Sequence, residues 1–207
     1  MKRTCIKIID TQRYDYSKFP LKKAKSNAFA GVVKINKHMK KIILLLAVFT
    51  IVFSSCSINK VVYNKDTEQK ILLGEINRKG LQKKQFQEWY YNEYDNYFPD
   101  EKVVTELKKY MPENAKIVIV LATWCPDSRR EVPRFYRILD EIGFNEDNLT
   151  VYAVDRNLEE PKGFVEKYEI ERVPTMIYWH YDYEAGRIIE TPRITLEKHL
   201  LKFTQKK

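Results

Sequence analysis

"KIVIVLATWCPDSRREVPRFYRIL" spans residues 116–139, and its reading decides the fold. Ile117 to Ala122 are apolar without a break, a run that suits a strand buried on both faces. After Cys125 the pattern changes to helical spacing and runs to Ile142, with Phe135, Leu139 and Ile142 on one side. Trp124 and Cys125 therefore stand where a central strand meets a helix, with Ser128 about one turn along. Open α/β sheets collect ligands and reactive groups at such strand ends.

Working outward, "LTVYAVD" (149–155) reads as a second strand and "EEPKGFVEKYEI" (159–170) as a short helix. "TMIYWHY" (175–181) and "GRIIET" (186–191) form a hairpin, and "TLEKHLLKF" (195–203) a closing amphipathic helix. Upstream, "VVYNKDTEQKILLGEI" (61–76) reads as a hairpin around a polar turn. "KQFQEWYYNEYDNYF" (84–98) places Phe86, Trp89 or Tyr90, Tyr94 and Tyr97 at helical spacing, an aromatic core stripe. "PDEKVVTELKKYM" (99–111) opens a second helix at Pro99 and buries Val103, Val104, Leu107 and Met111. The fold class is α/β: residues 115–207 form one domain with a central mixed sheet, and 61–114 an N-terminal extension of hairpin and helices.

The net charge of +9 sits outside that domain. Residues 1–55 hold 12 Lys and Arg against 2 Asp and Glu, whereas 56–207 hold 25 against 26. The folded part has no overall field to draw polyanions, so nucleic acid is not an expected partner. Cys5, Cys56 and Cys125 are far apart, and the histidines are His38, His180 and His199. No paired Cys or His spacing suggests a metal site, and no Gly-rich phosphate loop suggests a nucleotide. No cofactor is expected.

"MKKIILLLAVFTIVFSSC" (39–56) has the layout of a secretory signal peptide: Lys40 and Lys41, an apolar stretch from Ile42 to Phe53, then small residues before a cysteine. This twelve-residue run falls short of the ~20 that a spanning helix needs. "FSSC" resembles the lipobox of bacterial lipoproteins, although Phe53 stands where Leu is usual. That resemblance implies cleavage before Cys56, lipidation of Cys56, and 56–60 as a tether to the membrane. The expected location is the bacterial cell envelope, facing the periplasm, with an uncleaved signal anchor as the alternative. Residues 1–38 then read as an over-extended or disordered leader, with translation starting at Met39.

The chain from about 115 to 205 resembles the thioredoxin family. Trp124–Cys125 follows a buried strand and opens a helix. Pro133 lies eight residues after the cysteine, where the family has a helix-kinking proline. "VPT" (Val173–Thr175) begins the next strand, as the family's cis-proline does, and the element order matches. The resemblance implies a thioredoxin fold, Cys125 and Ser128 at the catalytic centre, and Trp124, Val173, Pro174 and Thr175 as the substrate-binding wall. Two departures fall on the chemistry. Ser128 replaces the second cysteine, and Ile119 stands where dithiol members carry a buried acid. Losing both together describes a monothiol design.

A thiolate is the nucleophile in disulfide exchange. Free N–H groups at the helix start favour the anion, and Pro126 suits that first turn. Arg129 adds positive charge if it folds back, the Ser128 hydroxyl could donate to the sulfur, and Asp127 acts in the opposite direction. A mixed disulfide on Cys125 would need an external thiol for release, because Ser128 forms no S–S bond. The expected partners are protein thiols and disulfides near the membrane, and an external thiol reductant. Two functions follow from this reading. One is monothiol exchange through Cys125; the other is a non-catalytic peptide- or partner-binding module. A peroxidase is a weaker third, since Ala122 stands where that pattern places Thr.

Overall fold

The computed structural model describes residues 58–65 and 67–205. The leader, the signal peptide and Cys56 lie outside the described residues. In chain order the elements are β1 (Val61–Asn64), β2 (Gln69–Leu72), β3 (Gly74–Ile76), α1 (Arg78–Leu81), α2 (Gln87–Asp95) and α3 (Glu101–Tyr110). They continue with β4 (Lys116–Leu121), α4 (Pro126–Ile142), β5 (Leu149–Ala153), α5 (Phe164–Lys167), β6 (Thr175–His180), β7 (Tyr183–Ile189) and α6 (Leu196–Thr204). Among the described residues no helix is long and apolar enough to cross a membrane.

β4 is the centre of a five-stranded mixed sheet of order β3-β5-β4-β6-β7. It runs parallel to β5 and antiparallel to β6. A parallel neighbour cannot be reached by a tight turn, so α4 makes the crossover. The continuous apolar run has its cause in this position. Ile117, Ile119 and Leu121 face a large core beneath α2, α3, α4 and α6, while Val118 and Val120 face a smaller one with Cys125, Ile170 and Val173. α4 begins with Pro126, whose missing N–H costs little there, and ends at Gly143 with φ of 70°. That left-handed residue is the usual helix stop.

Several expected elements shift. The upstream hairpin is β1 paired with β2 as a separate two-stranded sheet. Gly74, at φ 83°, then turns the chain so that β3 joins the main sheet as an edge strand, antiparallel to β5. The sheet thus takes a strand from the 61–114 stretch that the sequence reading set apart as an extension. Of the aromatic stripe, Phe86 and Tyr90 are fully buried, while Trp89, Tyr94 and Tyr97 pack against the core partly exposed. α3 buries Val104 and Leu107 and is capped by Asp100, whose side chain accepts from the N–H groups of Lys102 and Val103. The expected helix over 159–170 contracts to Phe164–Lys167, because Gly163 caps it in a left-handed conformation just after Pro161. β7 starts at Tyr183, three residues before the expected Gly186.

Candidate functional site

The loop from Ala122 to Pro126 joins β4 to α4, and five hydrogen bonds fix it. The Cys125 N–H donates to the Ala122 carbonyl at 3.0 Å, closing a tight turn. The Arg129 N–H donates to the Cys125 carbonyl at 3.1 Å and starts the helix. The buried Ser128 hydroxyl oxygen accepts from the Ala122 N–H at 3.1 Å, tying the helix to the strand end. Thr123, also buried, is held from both sides: its Oγ1 accepts from the Leu72 N–H at 3.2 Å and its carbonyl accepts from Arg129 Nε at 2.6 Å.

Cys125 is the helix N-cap residue and is 8% exposed. Its Sγ donates to the Val173 carbonyl oxygen at 3.3 Å, so the thiol meets the start of β6 across 48 residues of sequence. The Val173–Pro174 peptide bond is cis. Three contacts brace this turn. The Glu190 N–H donates to the Pro174 carbonyl at 2.7 Å, Thr175 Oγ1 donates to the Arg172 carbonyl at 2.7 Å, and Arg172 pairs with Glu190 at 2.9 Å.

The structure therefore brings Cys125, Ser128, Trp124, Val173 and Pro174 to one end of the sheet, but it assigns some side chains differently from the sequence reading. Ser128 receives a backbone N–H instead of facing the sulfur as its expected donor. Arg129 folds back, but onto the Thr123 carbonyl and not onto Sγ. Asp127 is paired with Arg130 Nη2 at 2.7 Å, and Arg130 also binds the buried Glu131 at 2.6 Å. Arg129 and Arg130 are both half-buried and engaged. Thr175 turns its hydroxyl back to the chain, and Val173, Pro174 and Thr175 are all buried. Trp124 is the half-buried member of the wall, with the Arg156 guanidinium 4.8 Å over its ring. Pro126 is exposed.

Sequence reasoning missed Thr123, Arg156 and the hairpin's contribution through Leu72. Arg156 directly follows the second strand, which ends beside the first, and that neighbourhood was the available signal. Leu72 carried no such signal. Among the described residues no three His, Cys, Asp or Glu side chains are grouped to hold a metal ion.

No protein-family model matches the chain, and no curated protein matches it. Among solved structures, a protein of unknown function from Pseudomonas aeruginosa is similar at a TM-score of 0.38 and 13% identity, over 57% of this chain and 75% of that one. An HIV epitope-scaffold is similar at 0.36 and 14%, over 57% of this chain and 76% of its own. Likenesses at these scores carry no assignment of family or activity.

Chemically, the site offers one buried thiol at a helix start, a neighbouring carbonyl, and an indole with a cation over it. The second position of the turn is an oxygen engaged by backbone. Such a site can take one sulfur partner at a time.

Proposed function

We propose that the chain is a thioredoxin-fold protein of the cell envelope, anchored through Cys56, that performs monothiol disulfide exchange through Cys125. The observation that carries this reading is the 3.3 Å contact between Cys125 Sγ and the Val173 carbonyl. It joins two of the motifs on which the family resemblance rests, Trp124–Cys125 and Val173–Thr175, although they are far apart in sequence. The central parallel pair β4–β5 and the antiparallel β6–β7 hairpin support it as well.

In the exchange, the Cys125 thiol loses its proton to solvent and the thiolate attacks one sulfur of a client disulfide. An S–S bond forms to Cys125 while the client's S–S bond breaks, and the other client sulfur leaves as a thiolate. Ser128 cannot displace the bound sulfur. A second, external thiolate attacks the mixed disulfide, forms a new S–S bond to the client, and returns the Cys125 thiolate. The half-buried Trp124 is the face against which the client segment lies, with the buried Val173 and Pro174 behind it.

The burial of Cys125 favours a second reading, in which the same wall binds a partner without exchange. Incubation of the full-length protein with oxidised glutathione separates the two. Under exchange, one glutathione is found on the tryptic peptide 117–129, is released by added thiol, and is lost in Cys125→Ser. If a small control thiol is modified under the same conditions while Cys125 is not, exchange is wrong and the binding module stands.

A further inference from the structure

The two faces of the sheet are covered unequally. Helices α2, α3, α4 and α6 pack over one face. On the other, the β5–β6 connection brings Phe164, Tyr168 and Ile170 into the small core beside Cys125. Its helix is only four residues long, so cover fails toward the other end, where β4 and β5 begin. A groove of about 450 Å³ lies there, over Val118, Thr150 and Trp179. Its volume falls within the roughly 300–1,000 Å³ of small-molecule sites. Four residues along β4 lead from Val118 in its floor to Ala122, where the Cys125 loop begins, roughly 13 Å at ~3.3 Å per residue.

Three aromatic side chains line the groove: Tyr168, Trp179 and Tyr181. Tyr168 and Trp179 meet edge to face with ring centroids 6.4 Å apart, and Tyr181 is 64% exposed. Four charges stand around the rings, Lys116 and Lys167 against Asp147 and Asp182. The chain pairs many of its other charges, including Arg78, Arg134, Lys162 and Arg187. Among the described residues, the side chains of Lys116, Asp147 and Asp182 make no ion pair or hydrogen bond, the Asp147 N–H alone donating to Asn145 Oδ1 at 3.0 Å.

We propose that this groove binds a short uncharged glycan, with pyranose rings lying on Trp179 and Tyr181 and hydroxyls bonded to Asp147, Asp182 and Lys116. Aromatic faces accept the flat apolar side of a sugar ring while their polar edges stay wet. Free carboxylates and an ammonium form charge-assisted hydrogen bonds to hydroxyls, which are stronger than neutral ones. The two signs balance, so the rim has no net charge to draw an anionic or a cationic ligand. An extended peptide fits less well. β4 and β6 are paired on both sides, and of β5 only Leu149 and Thr150 lie beyond the β3 pairing, an edge too short for main-chain pairing along the groove. This site is independent of the exchange proposed at Cys125.

The test is a glycan array probed with the full-length protein, followed by saturation-transfer NMR with cellotriose, maltotriose and triacetylchitotriose. Saturable binding of at least one neutral glycan is expected. It should weaken about tenfold or more in Tyr181→Ala and in Asp182→Asn and be unchanged in Cys125→Ser. Both altered side chains are exposed, so the fold tolerates the changes. No binding across the neutral glycans, tighter binding of a sulfated oligosaccharide or of phosphocholine, or binding that survives both substitutions would each overturn the proposal.

Discussion

Cys125 Sγ and the Val173 carbonyl oxygen are 3.3 Å apart, and both residues are buried, at 8% and 5% exposure. The thiol is thus the donor for a carbonyl that has little access to water. Cys125→Ser keeps a donor in that place and Cys125→Ala removes it. The alanine variant is expected to be less stable than the serine variant by about 0.5–1.5 kcal/mol, the net worth of an ordinary hydrogen bond. Urea unfolding measures the difference, and equal midpoints would show that the contact adds nothing to stability.

Ser128 has a structural task that its place in "CPDS" does not reveal. Its oxygen accepts the Ala122 N–H inside the protein, and Ser128→Ala leaves that donor unpaired. A buried unsatisfied group costs about 1–3 kcal/mol, so a loss of that size is expected in the unfolding free energy. Ser128→Cys substitutes a weak sulfur acceptor and should lose less. It also supplies a resolving thiol, and insulin reduction above that of the unsubstituted protein is expected. A folded Ser128→Cys protein without that activity would mean that the site lacks more than a second sulfur.

Thr123 couples the N-terminal hairpin to the loop. Thr123→Val keeps the shape and removes the acceptor of the Leu72 N–H, again at about 1–3 kcal/mol. Amide hydrogen exchange should show faster opening at Leu72, and alkylation of Cys125 should change with it if the hairpin positions the thiol. An unchanged Leu72 amide would show that the hairpin is held by its side chains alone.

Gly186 lies under the closing helix. A Cβ there would stand 2.3 Å from two ring carbons of Phe203, a residue only 8% exposed. The ring has to move or β7 has to shift, and overpacking of this kind costs about 1–3 kcal/mol. Gly186→Ala should therefore lower the thermal midpoint, and Phe203→Leu in the same chain should recover part of the loss.

What was legible in the sequence follows from how each element announces itself. β4, α4 and α6 are long and periodic, so one face or two could be read directly. β3 has three residues, too short for any period, and it enters the sheet only because Gly74 turns the chain and β5 has an open edge. The pairing of Cys125 with the Val173 turn followed from the resemblance, whereas the direction of each side chain did not. Residue types at 127–130 told which charges were present. They did not tell that Asp127 would take Arg130, or that Arg129 would take a carbonyl, because those choices depend on backbone groups brought in by the fold. The open groove was equally hidden, since it results from α5 being too short to cover the sheet.

Asp140 links α4 to the chain before α2. Burial alone would raise its pKa, but hydrogen bonds from Arg78 and Tyr94 and the charges of Arg78 and Arg137 outweigh it, and the carboxyl is held below its ordinary value. Arg78 grips both oxygens at 2.6 Å and also reaches Glu146 at 2.5 Å. A carboxyl with a depressed folded pKa binds fewer protons than its unfolded counterpart. Its contribution is complete above the unfolded value, about 3.9 for Asp, and is lost as pH falls through the lower folded value. His199 acts in the same direction at higher pH. Burial, with Lys202 and Arg193 nearby, lowers its pKa, so protonation near and below about 6.5 favours the unfolded chain. Stability should thus fall in two stages on acidification. His199→Gln should flatten the first and Asp140→Asn the second, each read from urea midpoints between neutral and acid pH. A stage that survives its own substitution would show that another group controls it.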